Sequence, residues 1–214
     1  MPNWVTTNIE IKEEGDKLEI IKKSILNDEG EVDFNILIPM PLDLRGTSSP
    51  ARVIPDEEYK EALEKGGYIN YVSKSKSDAL IEKYGFNNWY DWATHNYGTK
   101  WNASDTRIEK EENIISFDTA WSCPYPWLDI LSQKFPNTIF KFSYADEDIG
   151  HNLGFYTLED GQFIEEMDMN EDDKQNIYIG QALAVKYGNV ITPIPEDVAV
   201  SDALDFITEC ELDE

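Results

Sequence analysis

The 214-residue chain lacks most of the features that announce a chemistry. Its two cysteines, Cys123 and Cys210, make neither a disulfide framework nor, by themselves, a zinc site. Its two histidines, His95 and His151, stand far apart in sequence, and act as acid–base groups only where a fold gathers carboxylates or a nucleophile beside them. There is no Walker loop, no nucleophile elbow, no His-Glu-x-x-His and no Cys-x-x-Cys. Asp168-x-Asn170-x-Asp172 begins like a calcium loop, but Asp173 stands where glycine is needed and no glutamate closes it. Asp146-Glu147-Asp148 with His151 reads as a solvated turn rather than a cation site. The sequence therefore predicts no catalytic residues, no metal and no cofactor, and points to binding rather than catalysis. It also has no run of about 20 apolar residues for a membrane span and no signal-peptide pattern at its start. A soluble cytosolic protein with no membrane partner is expected.

Basic residues are scarce, and their distribution is uneven. The chain has 43 acidic residues against 18 Lys and Arg, a formal net charge of −25. Residues 145–214 hold 19 of those acids against Lys174 and Lys186 alone, a net of −17. Phosphates need Lys and Arg partners, so direct DNA or RNA binding is disfavoured. A concentrated acidic face has two readings. It is a solubilising surface, or it resembles nucleic acid and occupies the basic groove of another protein. On the second reading Asp197, Asp202, Asp205 and Glu209 contribute to the partner surface.

What is present is a hydrophobic fraction of 41% with 12% aromatics, enough for a core. Residues 4–11 alternate as a strand. Leu18, Ile21, Ile25 and Leu26 mark one helical face over 17–27, with Asp16 and Glu19 spaced as a capping box. Residues 32–38 alternate again, Phe34, Ile36 and Ile38 sharing a face, and end at Pro39. A second β–α–β pattern follows, with strands at 114–121 and 138–144 around a helix at 126–135. Two such units in series predict an α+β fold, a ferredoxin-like split β-α-β sandwich with one antiparallel sheet and both helices on one face. The segment between the units, about 40–112, is too long for a loop. It carries helical signals at 56–65, 75–84 and 88–96, and Pro41–Pro55 reads as an exposed loop. It is expected as a helical insertion between the second and third strands. Beyond it lies a C-terminal hairpin-helix extension, with Asp160-Gly161 as the hairpin turn, a helix at 171–187 and an acidic tail. The expected organisation is a domain over 1–150 with 151–214 packed on it.

Residues 87–106 hold three of the six tryptophans, Trp89, Trp92 and Trp101, among asparagines, a histidine and a lysine. Such side chains pack a core or grip a ligand. In the packing reading Trp89 and Trp92, at i,i+3, clamp the insertion to the sheet. In the binding reading Trp92, His95, Asn96, Lys100, Trp101 and Asn102 surround an aromatic pocket for a small molecule or nucleotide. Trp4, Trp121 and Trp127 are expected nearby.

Several separated motifs recur together in one family. They are Met1–Val5, the Phe34–Pro41 stretch ending Ile-Pro-Met-Pro, the Trp92–Ala103 stretch, Phe117–Pro126 and Leu131–Tyr144. Over roughly residues 1–160 the chain resembles the Api-ninety-two-like proteins. Tyr97 stands where many relatives have a tryptophan, and Cys123 where a proline is common. Both are changes that packing absorbs. The resemblance implies a ferredoxin-like domain and origin on a phage, plasmid or other mobile element, hence the cytosol of a host cell. It carries over no catalytic residue. With the charge, it leads to the expectation of a non-enzymatic accessory protein that binds a basic host or defence protein through its acidic surface. A small-molecule or nucleotide-binding protein, with or without enzymatic activity, using segment 89–105 is the alternative.

Overall fold

The computed structural model describes residues 2–66, 70–109, 113–147, 152 and 154–165. The first strand, β1 (Trp4–Lys12), leads into helix α1 (Gly15–Lys23). Four helices and a small sheet follow: α2 (Phe34–Leu37), α3 (Leu42–Arg45), α4 (Asp56–Glu64) and α5 (Lys74–Tyr84), with strands β2 (Arg52–Ile54) and β3 (Tyr71–Ser73) paired in parallel. Helix α6 (Trp89–Asn96) closes this region. The remaining elements are β4 (Ser104–Glu109), β5 (Ile114–Ala120), α7 (Tyr125–Lys134), β6 (Ile139–Asp146), β7 (Gly154–Glu159) and β8 (Gln162–Glu165).

The main sheet has six strands in the order β4-β5-β1-β6-β7-β8, each antiparallel to its neighbours. β1 lies between β5 and β6, with Ile9 opposite both Ile115 and Phe142. Taken as β1-α1-β4-β5-α7-β6, this is the split β-α-β arrangement of a ferredoxin-like sandwich. The β7–β8 hairpin adds two strands at the β6 edge, and Asp160-Gly161 forms its turn with both residues at positive φ.

The core follows from period-two alternation on one sheet face. Ile9 and Ile11 of β1, Ile115 and Phe117 of β5, and Phe140 and Phe142 of β6 are each at most 1% exposed. They join one buried cluster with Leu18 and Ile21 of α1 and Trp127, Leu128 and Leu131 of α7. Both helices thus cover the same face, as the sequence predicts.

Several expectations need correction. Residues 32–38 are not the second strand. Asp33 caps a short helix, its carboxylate accepting the Asn35 N–H at 2.9 Å. Phe34 is buried there while Ile36 is 38% exposed. The segment touches strand geometry only in an isolated bridge between Val32 and Leu26. The second strand is β4, so the helical insertion lies between the first helix and the second strand, not between the second and third strands. Pro41–Pro55 is also not a plain loop, because it contains α3 and β2. The capping box at Asp16 is not formed either: Glu14 is the N-cap residue of α1 and makes no side-chain cap bond. The three helices expected within the insertion do form, as α4, α5 and α6. The expected helix at 171–187 and the acidic tail lie outside the described residues, as do Asp197, Asp202, Asp205 and Glu209.

Candidate aromatic recess

The end of β5, the Gly98–Trp101 turn and the first turn of α6 meet at one end of the sheet. Short local bonds hold them in register. Thr99 Oγ1 donates to the Ala120 carbonyl at 2.8 Å, and Ser122 Oγ donates to the Gly98 carbonyl at 2.6 Å. Gly98 is at φ +85, and a Cβ there would lie 2.5 Å from Pro126 Cδ, so only glycine lets this turn lie against the start of α7. The segment before β2 is tied to α6 by the Trp89 N–H, which donates to Thr47 Oγ1 at 2.8 Å. Asn88 caps α6, accepting the Asp91 N–H at 3.0 Å, and its Nδ2 donates to Asp91 Oδ2 at 2.7 Å.

These contacts frame an open recess of about 780 Å³. Ser49–Ala51 form one wall and Asn87–Asp91 another. Lys100, Trp101 and Trp121 form the third side. Lys100 Nζ sits between two indoles, 3.5 Å from the Trp101 ring centroid and 3.7 Å from that of Trp121. Trp101 is 42% exposed and Trp121 50%. Trp4 backs Trp101 with a tilted ring contact at 6.3 Å. Trp121 takes φ +67, a left-handed backbone that a bulky side chain adopts at a cost, and its N–H donates to the Asn3 carbonyl at 2.9 Å. Backbone strain of this kind clusters at functional sites.

Of the six residues expected around a pocket, only Lys100 and Trp101 line this one. Trp92 is 7% exposed and belongs to the core, edge-on to Tyr97 at 5.2 Å. Asn96 turns back on its own helix, its Nδ2 donating to the Trp92 carbonyl at 2.8 Å. His95 packs on Phe86 at 5.1 Å between centroids. Asn102 is a structural bridge: its Oδ1 accepts the Phe34 N–H at 2.8 Å and its Nδ2 donates to Asp33 at 2.9 Å. Burial opposes ionisation of Asp33, but the Asn35 and Asn102 bonds and the charge of Arg45 outweigh it, so its carboxyl lies below the ordinary value. Trp127 is fully buried, away from the recess.

Sequence reasoning missed the 49–51 wall and Tyr90, and it placed Trp121 nearby without making it a lining residue. Only Trp121 left a signal, a tryptophan just past a strand end and ahead of Pro124.

Cys123 is a free, partly buried thiol among the described residues. Burial pushes its thiol up to about 12 despite bonds with Tyr156 and Thr7. Among the described residues no group of three His, Cys, Asp or Glu side chains is placed to hold a metal, and His151 lies outside them. Among the described residues no helix is long and apolar enough to cross a membrane.

Residues 96–186 match the family model described as "Ferredoxin-like domain in Api92-like protein". The matched stretch runs from the end of α6 through β4–β8 and α7. The chain is also similar to the crystal structure of a protein Api92 from Yersinia pseudotuberculosis, with a TM-score of 0.46 and 10% identity, over 79% of this chain and 99% of that one. No curated protein matches the sequence.

Proposed function

From a chain in which residues 96–186 match the ferredoxin-like domain of Api92-like proteins, we propose a non-enzymatic binding protein that grips its ligand in the Trp101/Trp121 recess. The observation that carries this reading is the pair of exposed indoles fixed on either side of Lys100 at the mouth of a ligand-sized cavity. Trp121 stands half-exposed on a left-handed backbone at φ +67.

The test is a thermal-shift and fluorescence survey of soluble metabolites and short peptides, on the wild type and on a variant with Trp101→Ala and Trp121→Gly. Glycine relieves the left-handed backbone, so the variant should melt no more than a few degrees lower. The reading expects a hit that this variant loses. Hits retained in full by the variant would contradict it.

The charge supports a second reading. The protein acts as an accessory factor of a phage or plasmid, and its acidic surface occupies the nucleic-acid groove of a basic host or defence protein. The net −17 over residues 145–214 is what favours it. Such a partner would associate quickly at low salt and lose that advantage once the Debye length falls to about 8 Å. Asp/Glu→Asn/Gln changes at Asp197, Asp202, Asp205 and Glu209 should slow association. Binding unchanged by those substitutions and by high salt would remove the mimicry reading.

A further inference from the structure

We propose that the recess selects a planar aromatic ring bearing an anionic group, of the nucleoside monophosphate class, with Lys100 as the anion contact. This deepens the recess reading above and rests on it.

Lys100 is the key. Its ammonium is fixed between two indole faces at 3.5 and 3.7 Å. Cation–π contact positions a charge without neutralising it. The chain has 43 acidic residues, yet among the described residues no carboxylate lies within ion-pair distance of this nitrogen. Asp91 is the carboxylate on the recess wall, and its Oδ2 is engaged by Asn88 Nδ2. A lysine held this way loses little further side-chain freedom on binding and keeps donors for an incoming oxyanion.

The indoles supply the second half of the specificity. Trp101 and Trp121 remain 42% and 50% exposed with Lys100 in place, and with Trp4 backing Trp101 the indole left to take a stacked ring is Trp121. Base–aromatic stacking is worth roughly 1–3 kcal/mol per base. The volume of about 780 Å³ admits a ring, a sugar and a phosphate together. A free cation or a basic peptide is the poorer occupant, because Lys100 already fills the space between the rings and repels a second positive charge.

Isothermal titration with adenosine monophosphate, adenosine and inorganic phosphate tests this on the full chain at physiological salt, where the repulsion from the protein's net charge is screened. Adenosine monophosphate should bind at least about tenfold more tightly than adenosine, the scale of a charge-assisted hydrogen bond. Lys100→Met keeps an aliphatic stem between the indoles and should abolish the preference for adenosine monophosphate over adenosine, each measured on the same variant. Lys100→Arg should keep the discrimination. Equal binding of nucleotide and nucleoside, or nucleotide binding indifferent to Lys100→Met, would overturn the anion assignment while leaving the recess reading intact. Absence of nucleotide binding in the wild type would also overturn it. The recess reading itself would fall if no ligand were lost on substituting Trp101 and Trp121.

Discussion

At the scale of single residues, two tryptophans nine positions apart have opposite roles. Trp92 is 7% exposed in the core, whereas Trp101 is 42% exposed at the recess. Trp92→Ala should therefore destabilise the protein by about 3–5 kcal/mol, the scale for deleting a buried large aromatic. Trp101→Ala should cost about 1 kcal/mol or less, since its ring gives up only partial burial and its contacts with Trp4 and Lys100. Urea denaturation of both variants checks this, and equal losses would contradict the assignment. Asp33 gives a pH prediction at the same scale. Its folded-state carboxyl lies below the ordinary 3.8, so it contributes stability that is fully present above that value and is lost as pH falls through the lower folded one. Subtracting the stability profile of Asp33→Ala from that of the wild type should leave a step at acid pH with that sign. A flat difference would mean that the bonds from Asn35 and Asn102 do not hold the ionised form.

At the scale of elements, what was legible followed the strength of local signals. Strands β1, β5 and β6 and helix α7 were readable because their apolar residues recur at the right period and end at turn residues. The 32–38 stretch has the same alternation, yet it is a short helix. Asp33 at its N-cap and the proline that follows at Pro39 decide the backbone there, and Asn102 supplies an acceptor for the Phe34 N–H from 68 residues away. The true second strand, Ser-Asp-Thr-Arg-Ile-Glu, is a polar edge strand with Asp105 at φ +51 beside an irregularity in its pairing with β5. It offers almost no apolar face to read. Both errors are one error: a tertiary contact and a weak edge strand exchanged places in the pattern. The junction of α6 with α7 gives the prediction for this scale. Gly98→Ala puts a methyl 2.5 Å from Pro126 Cδ and 3.2 Å from the Cys123 carbonyl oxygen, on a backbone at φ +85. It should destabilise by more than about 1 kcal/mol and should also weaken ligand binding, because the same turn carries Lys100 and Trp101. A variant with wild-type melting would show that the turn can rearrange.

At the scale of the molecule, the recess joins residues that are distant in sequence, which is why the chain alone showed only part of it. Lys100 and Trp101 stood out in a tryptophan-rich segment. The 49–51 wall carries no chemical signal, and Trp121 meets Lys100 only because β5 ends beside the turn that follows α6. The other four residues expected at a pocket share that segment but go elsewhere: Trp92 into the core, Asn96 back along its helix, His95 onto Phe86 and Asn102 toward α2. Sequence proximity grouped them, and the turn of α6 together with the chain beyond it separated them.

The recess is proposed as the place where this protein binds. The most direct measurement is the indole N–H spectrum of the six tryptophans in ¹⁵N-labelled protein, titrated with adenosine monophosphate and with any other ligand found in the survey. The account predicts that the Trp101 and Trp121 resonances, with Trp89 on the facing wall, shift and saturate together while Trp92 and Trp127 stay still. Shifts confined to the core indoles, or binding that leaves Trp101 and Trp121 unmoved, would contradict it.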